Sequence, residues 1–387
     1  MNKPEQTQSQ ARPQLVIVGD CTAELWSMTA AERLRRAFGR AGVAPAEGLD
    51  DSRETTLIAV RADYLLGQDL VAALVARPGT LLVTAAGGEA VALHAHTSIA
   101  LAERLLGGET RGDSEALRAE LETLGPEALG SNYDNALRKR AQPVLMSYRT
   151  NTAEELELAT FGAAYKGATD FVTKWLWPKP ARWATRWAAA RGITPNTVTT
   201  VSLGLVLLAT WMFAAGYFLA AIPIAWAMTF LDTVDGKLAR VTLTYSAWGN
   251  IYDHGIDLIH PPFWWWAWYV GALPLASPGI EPLLAPALLV VLGGYLVGRL
   301  FEGLFVLFFR IETHIWRPVD YFFRTITARR NPNLAILTVA TIAGRPDAGL
   351  VAIAVWTIVS LLFHLVRLVQ AALWRARGHA VTSWLQA

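Results

Sequence analysis

Reading from residue 232, the 387-residue chain runs Asp232-Thr-Val-Asp235-Gly236-Lys-Leu-Ala239-Arg240, then eight residues, then Gly249-Asn-Ile-Tyr-Asp253-His-Gly-Ile-Asp257. Asp232 and Asp235 are three apart and Asp253 and Asp257 four apart, so on helices each pair projects from one face. If those helices are antiparallel neighbours, four hard oxygen donors converge, a set suited to Mg²⁺ or Mn²⁺ and not to soft metals. Two such ions could clamp a diphosphate and stabilise the attacking and leaving oxygens of a phosphoryl displacement. Gly236, Ala239 and Gly249 are small enough to let a nucleotide approach the backbone, and Arg240 offers a planar fork to phosphate oxygens. Structural pairing with Lys237, Arg240 and His254 would instead leave a negative excess, which is expensive at the edge of lipid unless cations are bound.

The elements that position this run belong to a membrane domain. Hydrophobic residues make up 53% of the chain against 17% charged, and fifteen of its 16 Trp lie beyond residue 165. Residues 1–165 carry a net charge of −6 and residues 166–387 one of +8, which together give the overall +2. An acidic water-soluble front thus precedes a basic, apolar back. No nucleic-acid partner is expected. Six apolar stretches approach the roughly 20 residues needed to span a bilayer: 196–215, 217–238, 247–272, 284–309, 332–346 and 348–372. The third holds the run Trp264-Trp265-Trp266-Ala267-Trp268, which suits an interfacial aromatic belt. Cations precede the first span and crowd between the fourth and fifth (Arg310, Arg317, Arg324, Arg329, Arg330), while the first and third loops have none. That distribution predicts N- and C-termini on the cytoplasmic side of an inner or cytoplasmic membrane. Residues 169–191 mix Trp175, Trp177, Trp183 and Trp187 with cations, as an amphipathic helix in the headgroup layer broken at Pro178 and Pro180 would. The single Cys21 excludes an intramolecular disulfide, and the polar start MNKPEQTQSQARP has no apolar signal-peptide core. The expected organisation is an α/β domain over 1–150, a linker with the interfacial helix over 151–192, a six-helix membrane domain over 193–375 and a tail over 376–387.

The aspartate run resembles the signature of the CDP-alcohol phosphotransferase (CDP-alcohol phosphatidyltransferase) family, D-x2-D-G-x2-A-R-x8-G-x3-D-x3-D, at every fixed residue. The resemblance covers about residues 165–375 and implies six spans with the motif on the second and third. It also implies a homodimer and a reaction in which an acceptor hydroxyl attacks a CDP-alcohol and releases CMP, as in phospholipid synthesis. Carried over, Asp232, Asp235 and Asp253 would be metal ligands for two ions. Asp257 would be the general base that also touches the second ion. Gly236, Ala239, Arg240, Gly249 and Ser246 would line the nucleotide. Pro195, Asn196 and Thr199, in Ile193-Thr-Pro195-Asn196-Thr-Val-Thr199, resemble the segment that opens the first span, where helix initiation and donor binding are both readings. Arg299, three residues before Glu302, and Arg310, Arg329 or Arg330 are candidates for the acceptor pocket, whereas His364 and Arg367 are expected at the interface. The donor is CDP-diacylglycerol or a CDP-polyol; the acceptor is an inositol phosphate, a glycerol phosphate or a lipid alcohol. The alternative is a membrane transporter or a scaffold that only binds CDP-lipids, against which the motif is complete and no inverted repeat is visible.

The front reads as α/β, with strands at 14–19, 56–60 and 80–84 and an Arg- and Leu-rich helix over 29–41. It resembles the sugar-phosphate nucleotidyltransferase fold found fused to such membrane domains in bifunctional inositol-phosphate cytidylyltransferases. Its loop Val18-Gly19-Asp20-Cys21-Thr22-Ala23-Glu24 lacks the second glycine and the arginine of that family's phosphate cradle, so the expected domain is degenerate and non-catalytic. Asp63 would match the family's metal position.

Overall fold

The computed structural model describes residues 13–46, 51–52, 54–85, 88–134 and 137–386. It divides into two compact units: residues 1–134, 140–165 and 241–243, and residues 135–139, 166–240 and 244–387.

The first unit is built on a six-stranded sheet of β1 (Gln14–Val18), β2 (Ala44–Pro45), β3 (Thr55–Arg61), β4 (Thr80–Val83), β5 (Ala90–Thr97) and β6 (Glu122–Leu124) in the order β2-β1-β3-β5-β4-β6. Strand β1 runs parallel to β2 and β3, β4 runs parallel to β6, and β5 is antiparallel to both neighbours. β1, β3 and β4 fall where their short apolar runs place them. β5 does not announce itself, because Ala-Val-Ala-Leu-His-Ala-His-Thr alternates weakly; it is buried on both faces and His94 satisfies its ring by bonding the Leu74 carbonyl at 2.9 Å. Helix α1 (Ala30–Arg40) starts where the Thr29 side chain accepts from the Glu32 amide, and it buries Leu34, Ala37 and Phe38 on the sheet. Residues Ala153–Ala163 form a helix opened by a Thr152/Glu155 capping box. Trp26, turned to a positive φ of 55°, donates to the Thr160 hydroxyl of that helix at 2.8 Å.

Asp63 does not stand open for a metal. It accepts from Arg61 at 3.0 and 2.8 Å and from Arg149 at 2.7 Å, so two guanidinium groups fill its coordination.

The second unit is helical. A π-turn at Val172–Leu176 leads into α2 (Pro178–Ala190), and Pro178 and Pro180 open this helix instead of breaking it, since the first turn has no N–H to lose. Its buried face is Ala181, Thr185, Ala188 and Ala189, while Trp183 and Trp187 are exposed. Then come α3 (Pro195–Ala214), α4 (Phe218–Val241), α5 (Ala247–Ala272), α6 (Glu281–Phe309), α7 (Arg330–Ile342) and α8 (Pro346–Ala376). These lie at the six expected places, yet only α3, α4, α6 and α8 are both long and apolar enough to cross a membrane, four among the described residues and not six. The 13 residues of α7 reach about 20 Å, short of a hydrocarbon core of about 30 Å. α5 has the length, at 26 residues, but Asp253, His254, Asp257, His260 and two prolines dilute its apolarity.

The tryptophan run of α5 is no aromatic belt. Trp264, Trp265 and Trp268 are at most 2% exposed, and only Trp266 faces out. Their polar handles are satisfied inside the bundle, Trp264 on the Val206 carbonyl at 3.2 Å and Trp268 on the Pro346 carbonyl at 2.9 Å. The same helix comes so close to α3 that a Cβ on Gly271 would lie 1.9 Å from the Phe213 carbonyl.

The Asp63 pairing has a pH signature. Burial alone would raise the carboxyl pKa, but the bonds from Arg61 and the nearby Arg149 outweigh it and hold it below the ordinary carboxylate range. Its stabilisation is therefore present above about pH 4 and lost as pH falls further. Asp63→Asn should speed amide exchange over Tyr64–Leu66 about tenfold at pH 7, with the variant-to-parent ratio shrinking toward one near pH 3. Hydrogen-exchange mass spectrometry reads both; equal rates at pH 7 would remove the pair from the stabilising contacts.

Candidate active site

Helices α4 and α5 present the aspartates. Ser246 caps α5 by accepting from the Gly249 amide at 3.0 Å. Asp232, Asp253 and Asp257 each offer a carboxylate oxygen, and these oxygens lie within 4.8 Å of one another. Three acidic oxygen donors so gathered fit a hard divalent cation. Asp235 is buried beside them but outside the trio: its Oδ2 accepts from the Thr199 hydroxyl at 2.6 Å and its Oδ1 from the Gly236 amide.

The opening segment of α3 serves this site in several ways. Pro195 stands at the first helical position, after Thr194 has capped the helix by accepting from the Thr197 amide at 3.2 Å. Asn196 reaches α5, where a Cβ on Gly249 would lie 2.9 Å from its Oδ1, so a larger residue there would make the Asn196 side chain shift. Thr199 holds Asp235. Behind Gly236, an added Cβ would lie 3.1 Å from the Arg240 Nη2, and Ala239 follows on the same turns of α4.

Arg330, the first residue of α7, reaches both pairs at once. It donates through Nη1 to Asp257 and through Nη2 to Asp232, one planar fork shared by carboxylates of two helices. The next residue, Asn331, donates to Asp170 at 3.0 Å, and Asp170 also accepts from the amides of Val172 and Thr173 at 3.1 and 3.0 Å. The only trace of this in the sequence is the Arg329-Arg330 pair standing directly before an apolar run.

Arg329 faces a second cluster. Glu302 of α6 accepts from Arg329 and, at 3.3 Å, from Arg299, while His314 lies 3.4 Å from its Oε1. Glu302, His314 and His364 also bring ligand atoms within 4.8 Å. Arg329 bonds Glu302 and lies 3.3 Å from the His314 Nε2, much as Arg330 bonds two carboxylates of the aspartate trio. Burial pushes the His314 imidazole down to about 3 despite its bond to Glu302, so it is neutral at physiological pH. Burial, then Arg329, pushes Arg324 down to about 9, still protonated, and its buried Nε and Nη1 have no partner among the described residues. His364 is buried, not interfacial, and its Nε2 is likewise unpartnered; Arg367 pairs with Asp320 at 2.5 Å. Arg310 lies apart from both clusters: it ends α6 in a left-handed conformation and lines a separate groove of about 940 Å³ with Arg375 and His379.

The helical unit thus carries an acidic trio, contributed by α4 and α5, that could hold a metal ion. Residues 192–323 match the CDP-alcohol phosphatidyltransferase family. An archaetidylinositol phosphate synthase from Pyrococcus horikoshii is 41% identical over 70 residues, which are 18% of this chain and 37% of that relative's length. The chain thus spans little more than a third of the relative. The family match leaves the α/β unit outside it, and a fused nucleotidyltransferase finds no support.

The Thr199 hydroxyl holds the Asp235 carboxylate, and if Asp235 is a metal ligand, as the sequence predicts, that bond would orient it. Thr199→Val should keep the fold and weaken Mn²⁺ binding by about 10–100-fold, measured by paramagnetic resonance titration. Unchanged affinity would detach Asp235 from the metal set.

Proposed function

We propose that the domain over residues 192–323 transfers a substituted phosphate from a CDP-alcohol to an acceptor hydroxyl with release of CMP. The observation that carries this reading is the convergence of Asp232, Asp253 and Asp257 within 4.8 Å, on a family motif complete in this chain. The acceptor oxygen attacks the phosphorus that bears the transferred alcohol, the bond to CMP breaks, and CMP leaves with the bridging oxygen. Asp257 accepts the acceptor's proton. Its side chain is 40% exposed against 15% for Asp232, which supports Asp257 as the group that meets an incoming hydroxyl. Asp232, Asp235, Asp253 and Asp257 would hold Mg²⁺ or Mn²⁺, which would neutralise the diphosphate charge. Gly236, Ala239, Arg240, Ser246 and Gly249 accommodate the nucleotide, with Asn196 behind Gly249.

The acceptor is a phosphorylated polyol. Arg299, Arg324 and Arg329 gather around one carboxylate, and a buried cationic excess with unpartnered N–H groups favours an anion. Adjacent residues tie this cluster to the aspartates, Arg329 facing one and Arg330 the other. The name of the Pyrococcus relative is in keeping with such an acceptor. The apolar lengths of α3, α4, α6 and α8 support a lipid donor such as a CDP-diacylglycerol, and the arginines between α6 and α7 support a cytoplasmic position for that end of the bundle.

Purified protein given labelled CDP-diacylglycerol and inositol phosphate or glycerol phosphate should release CMP. EDTA should stop the release and Mg²⁺ restore it. Asp257→Asn should lower kcat by about 10²–10⁴; full turnover in that variant would reject the base. Arg324→Gln should raise KM for the phosphorylated acceptor about tenfold or more and leave KM for the donor unchanged.

A further inference from the structure

The groove that holds Arg310, Arg375 and His379 lies where α6 and α8 end, and it takes no part in either cluster of the helical unit. α6 and α8 have 29 and 31 residues. At 1.5 Å per residue each reaches about 45 Å, the thickness of a bilayer with its headgroup layers. Both are long and apolar enough to cross a membrane, and a span of that length brings its ends to headgroup level.

One wall of the groove is the chain that follows α8. Gly378, at a φ of 83°, reverses its direction. The His379 amide then donates back to the Trp374 carbonyl at 3.3 Å, and the Trp374 indole donates to the Ala380 carbonyl at 3.3 Å. The Trp374 and His379 rings lie 4.3 Å apart, and Val381 packs on the cluster of Phe305, Phe309 and Trp316. The wall is held by bonds and packing, not left as a loose tail.

The lining has two characters. No Asp or Glu is among its described residues, and two arginines are. Arg375 donates through Nη1 to the Phe308 carbonyl, as a cation at a helix C-terminus does. Arg310 is exposed, and no hydrogen bond or ion pair holds its guanidinium among the described residues. Beside these cations Leu307, Phe308 and Ala372 present exposed apolar surface. In a bilayer, acyl chains cover such surface and lipid phosphates meet the cations above it.

We propose that this groove binds an anionic glycerophospholipid, its phosphate met by Arg310 and Arg375 and its acyl chains lying on Leu307, Phe308 and Ala372. The apolar wall selects a lipid over a free phosphate, and the uncompensated cations select an anionic lipid over a zwitterionic one. The site is independent of the transferase reading, since none of the aspartates lines it.

The test titrates the full chain in mild detergent with dioleoyl phosphatidylglycerol or dioleoyl phosphatidylcholine and reads bound lipid by native mass spectrometry. The parent should bind its first phosphatidylglycerol about tenfold more tightly than phosphatidylcholine. Arg310→Gln should weaken that binding about fivefold and Arg310→Gln/Arg375→Gln about twentyfold, with phosphatidylcholine unchanged. Ala372→Trp, which spares both arginines and obstructs the apolar wall, should also weaken it about fivefold or more, and it stands in if loss of the Arg375 bond to Phe308 prevents folding. Excess glycerol phosphate should leave the lipid bound. Equal affinity for the two lipids, parental phosphatidylglycerol affinity in any of these variants, or displacement by glycerol phosphate each overturns the proposal.

Discussion

Carboxylates gathered within 4.8 Å repel one another, and they do so here on helices whose other turns are apolar. The charge must be answered from nearby, and one guanidinium answers two of the carboxylates at once. Arg330 bonds Asp232 and Asp257 together, which ties α4 to α5 through the first residue of α7. Only an arginine, with its flat fork, reaches two carboxylates in this way; a lysine would offer one point of charge. The placement of α7 follows from this contact. Its first turn must stand level with the aspartates, and Asn331 on Asp170 holds it there.

The same turn separates two electrostatic environments. On one side lie acids that could hold a divalent cation. On the other, Arg299, Arg324 and Arg329 outnumber Glu302, and neutral His314 adds polarity without charge. The charge pattern is thus a division of labour between Arg329 and Arg330, adjacent in the chain and facing different partners.

Much of the fold could be read without coordinates where one signal was strong. Strands β1, β3 and β4 carry dense apolar runs, and α1 announces itself by Thr29 and a leucine-arginine periodicity. β5 carries no such run, because two histidines interrupt it. Apolar composition overstates membrane spanning for α5 and α7, neither of which is both long and apolar enough to cross. Tryptophans serve equally at a lipid interface and in a packed core, and Trp264 and Trp268 found carbonyl acceptors inside the bundle.

The sequence by itself determined the chemistry available: four carboxylates at helical spacing, small residues between them, and an apolar setting in which their charge must be used. Local rules suffice for this, since i, i+3 and i, i+4 positions share a face wherever the helix lies. Tertiary structure decided which groups meet. It joined Asp232 and Asp253 to Asp257, gave Asp235 to Thr199, and brought Arg330 from some 70 residues away to close the site. None of these contacts leaves a periodic trace, because each depends on how distant helices pack, and packing is settled by the whole set of side chains at once.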